Sequence, residues 1–180
     1  MGVNRKALDG CSADHPVFYE DEVDIHLNPK IGAGWQVHGQ QNRVVTPGQN
    51  EKYYLAGVLH SGTGKVSYVG GSSKTSSLFI SLLKHLKATY RRAKTITLIV
   101  DNYIIHKSGK TRNWLKANPK FNVIYQPVYS SWVNHVERLW QALHVTITRN
   151  HQCRSMWQLL KKFAILRKPP ARSPEESMAW

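Results

Sequence analysis

The chain has 180 residues, with 25 Lys and Arg against 11 Asp and Glu, a formal net charge of +14. At 41% hydrophobic it can fill a core, which excludes a disordered basic tail. Two cysteines exclude a disulfide framework or a four-cysteine zinc site, and no apolar run reaches membrane-spanning length. Residues 1–12 lack the apolar stretch of a signal peptide, so an intracellular, reducing setting is expected. The charge excess points to a polyanionic partner, nucleic acid first.

Residues 1–14 show no clear period and read as a flexible lead-in. Residues 15–27 read as a strand, with Val17, Tyr19, Val23, Ile25 and Leu27 at odd positions. Asp21 interrupts that set on the core-facing side, where a carboxylate is costly unless paired or metal-bound. A shifted register or a loop at 20–22 is the alternative. The same period puts Glu20, Glu22 and Asp24 on the opposite face, expected to meet solvent. Residues 28–50, rich in Gly and Pro, read as turns around short strands at 35–37 and 43–46.

Residues 52–60 and 66–69 form a predicted hairpin around the turn 61–65. Its SGTGK lacks Walker A spacing. A helix follows over 76–90, with Leu78, Phe79, Leu82, Leu83 and Leu86 on one stripe. The run 95–101 (TITLIVD) reads as a central strand buried on both faces, with Asp101 at its C-terminal end. A helix at 107–118, a strand at 122–126 and a loop at 127–131 come next. The last core helices are 132–149 and 155–166, and the Pro-rich 167–180 is expected to be a disordered tail. The order predicts an α/β fold with a mixed sheet.

The scarcity of acids makes their placement informative. From Ile25 to Pro174 there are 23 basic residues and three acids: Glu51, Asp101 and Glu137. Asp21, Asp101 and Glu137 follow in order, with 79 residues between the first two and 35 between the last two. Hard divalent cations prefer carboxylate oxygens, and a pair of them can run phosphoryl transfer without a protein nucleophile. Neither a two-His helical pair nor a Cys/His ligand group occurs among the nine His. Trp132 and Trp140, at helical spacing, read as core. Lys84, Lys87, Arg91, Arg92 and Lys94 form a basic cluster that suits a DNA backbone or a solvated face.

Three motifs carry a family resemblance: Tyr19-Glu20-Asp21-Glu22; Leu98-Ile99-Val100-Asp101-Asn102 with His106; and Asn134-His135-Val136-Glu137-Arg138-Leu139-Trp140. With Trp35 and Gly39, they resemble the DDE transposases, in the mariner-like superfamily and its bacterial insertion-sequence branch, from about residue 18 to 166. The resemblance implies a ribonuclease H-like fold and Mg²⁺-dependent cutting of transposon ends followed by strand transfer. It also implies two Mg²⁺ ions, with Mn²⁺ a substitute. Asp21, Asp101 and Glu137 would be the catalytic metal ligands, and Asn102, His106 and Asn134 would support or orient them. Double-stranded DNA, as transposon end and target, would be the partner of a homodimer in the bacterial cytoplasm, at the nucleoid.

Two departures stand out. His135 takes the place of a family Pro, which suits a first helical turn, so weakened activity is expected with an unchanged ligand set. The residues before the first motif leave no room for helix-turn-helix modules. A catalytic domain (15–166) from a truncated or frameshifted element is therefore expected. The second reading is a non-catalytic nucleic-acid-binding remnant; a host ribonuclease H or resolvase fits the motifs less well.

Overall fold

The computed structural model describes residues 2–33, 37–39, 43–44, 46–126 and 135–163. Among the described residues, five strands form one sheet: β1 (Val17–His26), β2 (Lys52–His60), β3 (Val66–Gly71), β4 (Ile96–Val100) and β5 (Phe121–Tyr125). The order is β3-β2-β1-β4-β5. β1 and β2 are antiparallel, as are β2 and β3, whereas β4 runs parallel to β1 and β5 parallel to β4. The mixed α/β sheet expected from the sequence is therefore present, with β1 at its centre.

Helices cover both faces, and that decides where the core sits. The odd residues Val17, Tyr19, Val23 and Ile25 of β1, with Ile99 of β4, pack under α4 (His135–Leu143) and α5 (Met156–Lys162). Phe18 of β1, Val58 of β2 and Leu98 of β4 pack under α2 (Ser76–Thr89), through the predicted stripe Leu78, Phe79, Leu82, Leu83 and Leu86. All five residues of β4 are buried. A 3-10 turn (Ile104–Lys107) and α3 (Gly109–Lys116) connect β4 to β5.

Several expectations are corrected. The aperiodic lead-in contains an α-helix, α1 (Gly2–Asp9). It is held by tertiary contact rather than by a visible stripe, since Leu8 and the following Cys11 pack against the α4-side core. Glu20 and Glu22 do not meet solvent: they are 0% and 8% exposed. Alternation correctly separates them from Asp21, but α2 covers their face, as helices do on central strands. The helix predicted to run to 149 stops at Leu143 and widens into a π-helical turn, His144–Thr148, with Arg149 N–H donating to His144 C=O. There Thr146 and Thr148 hydroxyls donate to the carbonyls of Ala142 and His144, in a β-branched run that disfavours regular helix. Val37, Arg43, Val44 and Thr46 form no strand. Trp35, Trp132, the loop 127–131 and the tail 167–180 lie outside the described residues. Among the described residues, no helix is long and apolar enough to cross a membrane.

α3 is anchored at its start by Ser108, whose Oγ accepts from the Thr111 N–H at 3.1 Å. The Thr111 hydroxyl in turn donates to Ile105 C=O at 2.7 Å, tying the helix to the 3-10 turn. Ser108→Ala is expected to cost about 1 kcal/mol. Thermal unfolding should fall by about 2–4 °C; an unchanged midpoint would show that the cap carries no stability.

Candidate functional site

The site forms where β1 and β4 run side by side. Tyr19 pairs with Ile99, the last pair of the parallel register; Asp21 follows in β1 and Asp101 just past β4, close enough that the Asp101 charge raises the Asp21 pKa. Asp101 follows β4 directly. Its Oδ1 accepts from Tyr103 N–H at 2.9 Å, which turns the chain out of the sheet. Asn102 donates through Nδ2 to Gln126 C=O and accepts from Lys107 Nζ at 2.7 Å, so it pins this turn to the end of β5. His106 is 1% exposed. Its ring stands edge-on to Phe79 at 4.5 Å, and its Nε2 lies 3.1 Å from Asp101 Oδ1.

Asp21 sits between Tyr19 and Val23 on the α4 face. Its Oδ1 accepts from the Glu22 N–H at 2.9 Å. Its cross-strand partner is Gly57, and the space above that glycine is filled by the Trp140 ring of α4. Glu137 lies in the first turn of α4, half-buried, between the core residues Val136 and Trp140. Packing of α4 on β1 and β2 thus puts Glu137 on the same side of the sheet as Asp21. His135 opens the described part of α4, with its ring edge-on to Tyr19 at 4.9 Å. Asn134 lies outside the described residues.

Electrostatics set this place apart. Burial, then the charges of Glu22 and Asp101, push the Asp21 carboxyl up to about 7, against the Glu22 N–H and Lys74. Burial first, then Glu22, Asp21 and Asp101, raise Glu20 well above the usual carboxylate range. Burial also disfavours charge on Asp101, but the contact with His106, the Tyr103 N–H and Lys74 outweigh it and leave Asp101 below its ordinary value. Lys74 is the cation in their midst: its Nζ is 3.4 Å from Glu22 Oε2 and 4.4 Å from the Tyr103 ring centroid. Burial disfavours the Lys74 charge, but Glu22, Asp21 and Asp101 hold its pKa up. Sequence reasoning missed Lys74 as well as the burial of Glu20 and Glu22. A central-strand position for β1 would have signalled the burial, whereas Lys74, in the loop before α2, carries no local mark.

The crowding has a measurable cost. The folded-state pKa of Asp21 is above its ordinary 3.8, so ionised Asp21 destabilises the metal-free fold. The penalty is fully present above pH 7 and shrinks as pH falls through that value. In chelator at pH 8, Asp21→Asn is expected to stabilise the chain by roughly 2 kcal/mol, with a smaller gain at pH 5. Thermal unfolding at both pH values checks this; a loss of stability at pH 8 would contradict it.

The basic cluster lies elsewhere. Lys84, Lys87, Arg91, Arg92 and Lys94 are exposed around the end of α2, before β4 begins, whereas Asp101 follows the other end of that strand. Lys94 is paired with Asp14 at 2.9 Å.

Comparison with known proteins agrees with this architecture. A family described as DDE superfamily endonuclease matches residues 16–160. The chain is 85% identical over 162 residues to the insertion element IS630 uncharacterized 39 kDa protein of Shigella sonnei, covering 90% of this chain and 47% of that one. It therefore spans about half the length of that curated relative. Among solved structures, the mariner Mos1 paired end complex with Mg is similar at TM-score 0.67 and 15% identity, over 93% of this chain and 52% of that one. The Mos1 transposase paired-end complex with left transposon end is similar at TM-score 0.63 and 18% identity, over 90% and 50%. The fold is ribonuclease H-like, as the motifs implied. The match across the sheet and α4, with the near-identity to an insertion-element protein, places this chain in the DDE superfamily endonuclease family.

Proposed function

We propose that the chain carries the catalytic domain of an insertion-element transposase, which cuts DNA strands and transfers them with a divalent metal held by Asp21, Asp101 and Glu137. The observation that supports this reading is the pairing of β1 with β4, which brings Asp21 and Asp101 within reach of each other's charge, while α4, the helix that carries Glu137, packs on the Asp21 face. The chemistry of the place fits a cation: repelling carboxylates meet around one ammonium, and burial with the charges of Glu22 and Asp101 pushes Asp21 up to about 7. Mg²⁺ and Mn²⁺ are both taken as competent, since the similar Mos1 paired end complex has been solved with each.

A pair of such ions would activate an attacking oxygen and stabilise a leaving one. The chain's own groups hold the ligands in place. Tyr103 N–H and His106 orient Asp101, Asn102 braces the turn, and Gly57 lets α4 approach closely enough to carry Glu137. The net charge of +14 supplies attraction for double-stranded DNA, as transposon end and target. A homodimer acting on nucleoid DNA in the cytoplasm completes the proposal.

Supercoiled plasmid nicking tests it. The wild-type chain should convert supercoiled to open-circular DNA in Mg²⁺ or Mn²⁺ and lose that activity in chelator. If it cuts no better than Asp101→Ala, the second reading, a non-catalytic DNA-binding remnant, takes its place.

A further inference from the structure

Glu20, Glu22 and His106 are gathered on the α2 side of β1, the face opposite Asp21. One ligand atom from each lies within 4.8 Å of the other two. His106 Nε2 is 3.6 Å from Glu20 Oε2 and 3.8 Å from Glu22 Oε1, and all three side chains are wholly buried. Donors about 2.0–2.2 Å from one ion stand roughly 3–4.4 Å apart, from neighbouring to opposite positions, so an ion fits here with little movement.

His106 and Glu22 are poised as ligands, each beside opposite charge but with side-chain atoms that no aligned hydrogen bond satisfies. The ring nitrogen faces three carboxylate oxygens: Asp101 Oδ1 at 3.1 Å, and one oxygen each of Glu20 and Glu22 at 3.6 and 3.8 Å, beyond hydrogen-bond length. Neither oxygen of Glu22 accepts an aligned hydrogen bond, although both are buried. Buried polar atoms in this condition are costly unless a cation meets them. One cation is already drawn in: Lys74 Nζ stands 3.4 Å from Glu22 Oε2, and its side chain, 28% exposed, leads from the cluster to solvent. Phe79 walls the imidazole in place.

We propose that Glu20, Glu22 and His106 form a buried divalent-cation site on the α2 face of β1, bordering the proposed catalytic set where His106 Nε2 meets Asp101 Oδ1, with Lys74 as its resident cation when no metal is bound. Two carboxylates and one imidazole suit Mn²⁺ or Zn²⁺ better than Mg²⁺, which favours an all-oxygen shell. The site does not require the transposase reading, but the two share His106, which borders Asp101 there and would ligate the ion here.

The test uses the 180-residue chain, stripped with chelator and titrated with Mn²⁺ alone. Free Mn²⁺ is followed by electron paramagnetic resonance, and pulsed measurements detect ¹⁴N coupling from a coordinating imidazole. The background variant Asp21→Asn with Glu137→Gln removes two oxygen ligands from the α4 face. In that background one Mn²⁺ should still bind with ¹⁴N coupling. Glu22→Gln, which keeps shape, should weaken binding at least tenfold, and His106→Gln should abolish the coupling. Lys74→Gln should tighten binding by removing the competing ammonium. Absence of ¹⁴N coupling at saturating Mn²⁺, or unchanged affinity in Glu22→Gln, overturns the site. If His106→Gln does not fold, Glu22→Gln carries the test. Absent coupling with Asp101-dependent nicking sinks this site alone; coupling present with nicking indifferent to Asp101→Ala sinks the transposase reading alone.

Discussion

Asp101→Ala is expected to reduce Mg²⁺-dependent nicking by at least about a thousandfold while leaving the chain folded. A bound metal contributes several kcal/mol of transition-state charge stabilisation, and each 1.36 kcal/mol is tenfold in rate. Asp101 should show the loss most cleanly. It sits just past a fully buried strand, so its backbone is fixed, and its carboxyl is held below its ordinary value and is charged at neutral pH. The Tyr103 N–H would lose its acceptor, but at an exposed turn where water can replace it. Removing one negative charge from the cluster also relieves repulsion on Glu20 and Asp21. The lowered Asp101 pKa marks a net favourable charge, so a modest loss of stability in chelator is expected, offset in part by that relief and far smaller than the loss of activity. Nicking assays with thermal unfolding on the same samples check both halves. A variant that loses activity only because it unfolds would remove Asp101 from the argument.

The second large effect is expected from a residue with no side chain. A Cβ on Gly57 would lie 2.5 Å from Trp140 Cη2 and 2.6 Å from Cζ2, closer than atoms can approach. Trp140 is buried in the core beneath α4 and has nowhere to swing, so the helix must move. Gly57→Ala is expected to cost about 1–3 kcal/mol, and Gly57→Val more. Because Glu137 lies one turn before Trp140, nicking should fall further than stability alone explains. Gly57→Ala combined with Trp140→Leu should recover part of the loss, since the two changes share one contact and their effects should not add. Melting curves that add within about 0.5 kcal/mol would mean the contact is absent.

How much of this was legible in the sequence differs from element to element. The hairpin 52–60/66–69, the stripe of α2 and the buried run before Asp101 all carry a period or a turn, and the observed elements follow them. Asp21 was separable from Glu20 and Glu22 because a strand's side chains alternate, a purely local fact. α1 was missed because its contacts through Leu8 and Cys11 are with residues remote in sequence. The stop of α4 at Leu143 was missed because a β-branched run still reads as helical when its apolar positions keep step.

The sequence by itself determined the α/β order, the basic character, the three motifs and the family they resemble. Only the tertiary structure decided that β1 is central, that α2 covers its second face, and that Lys74 reaches Glu22 beside Asp101 and His106. The reason is physical: periodicity reports which residues share a face, whereas burial and charge proximity depend on what packs against that face from far along the chain.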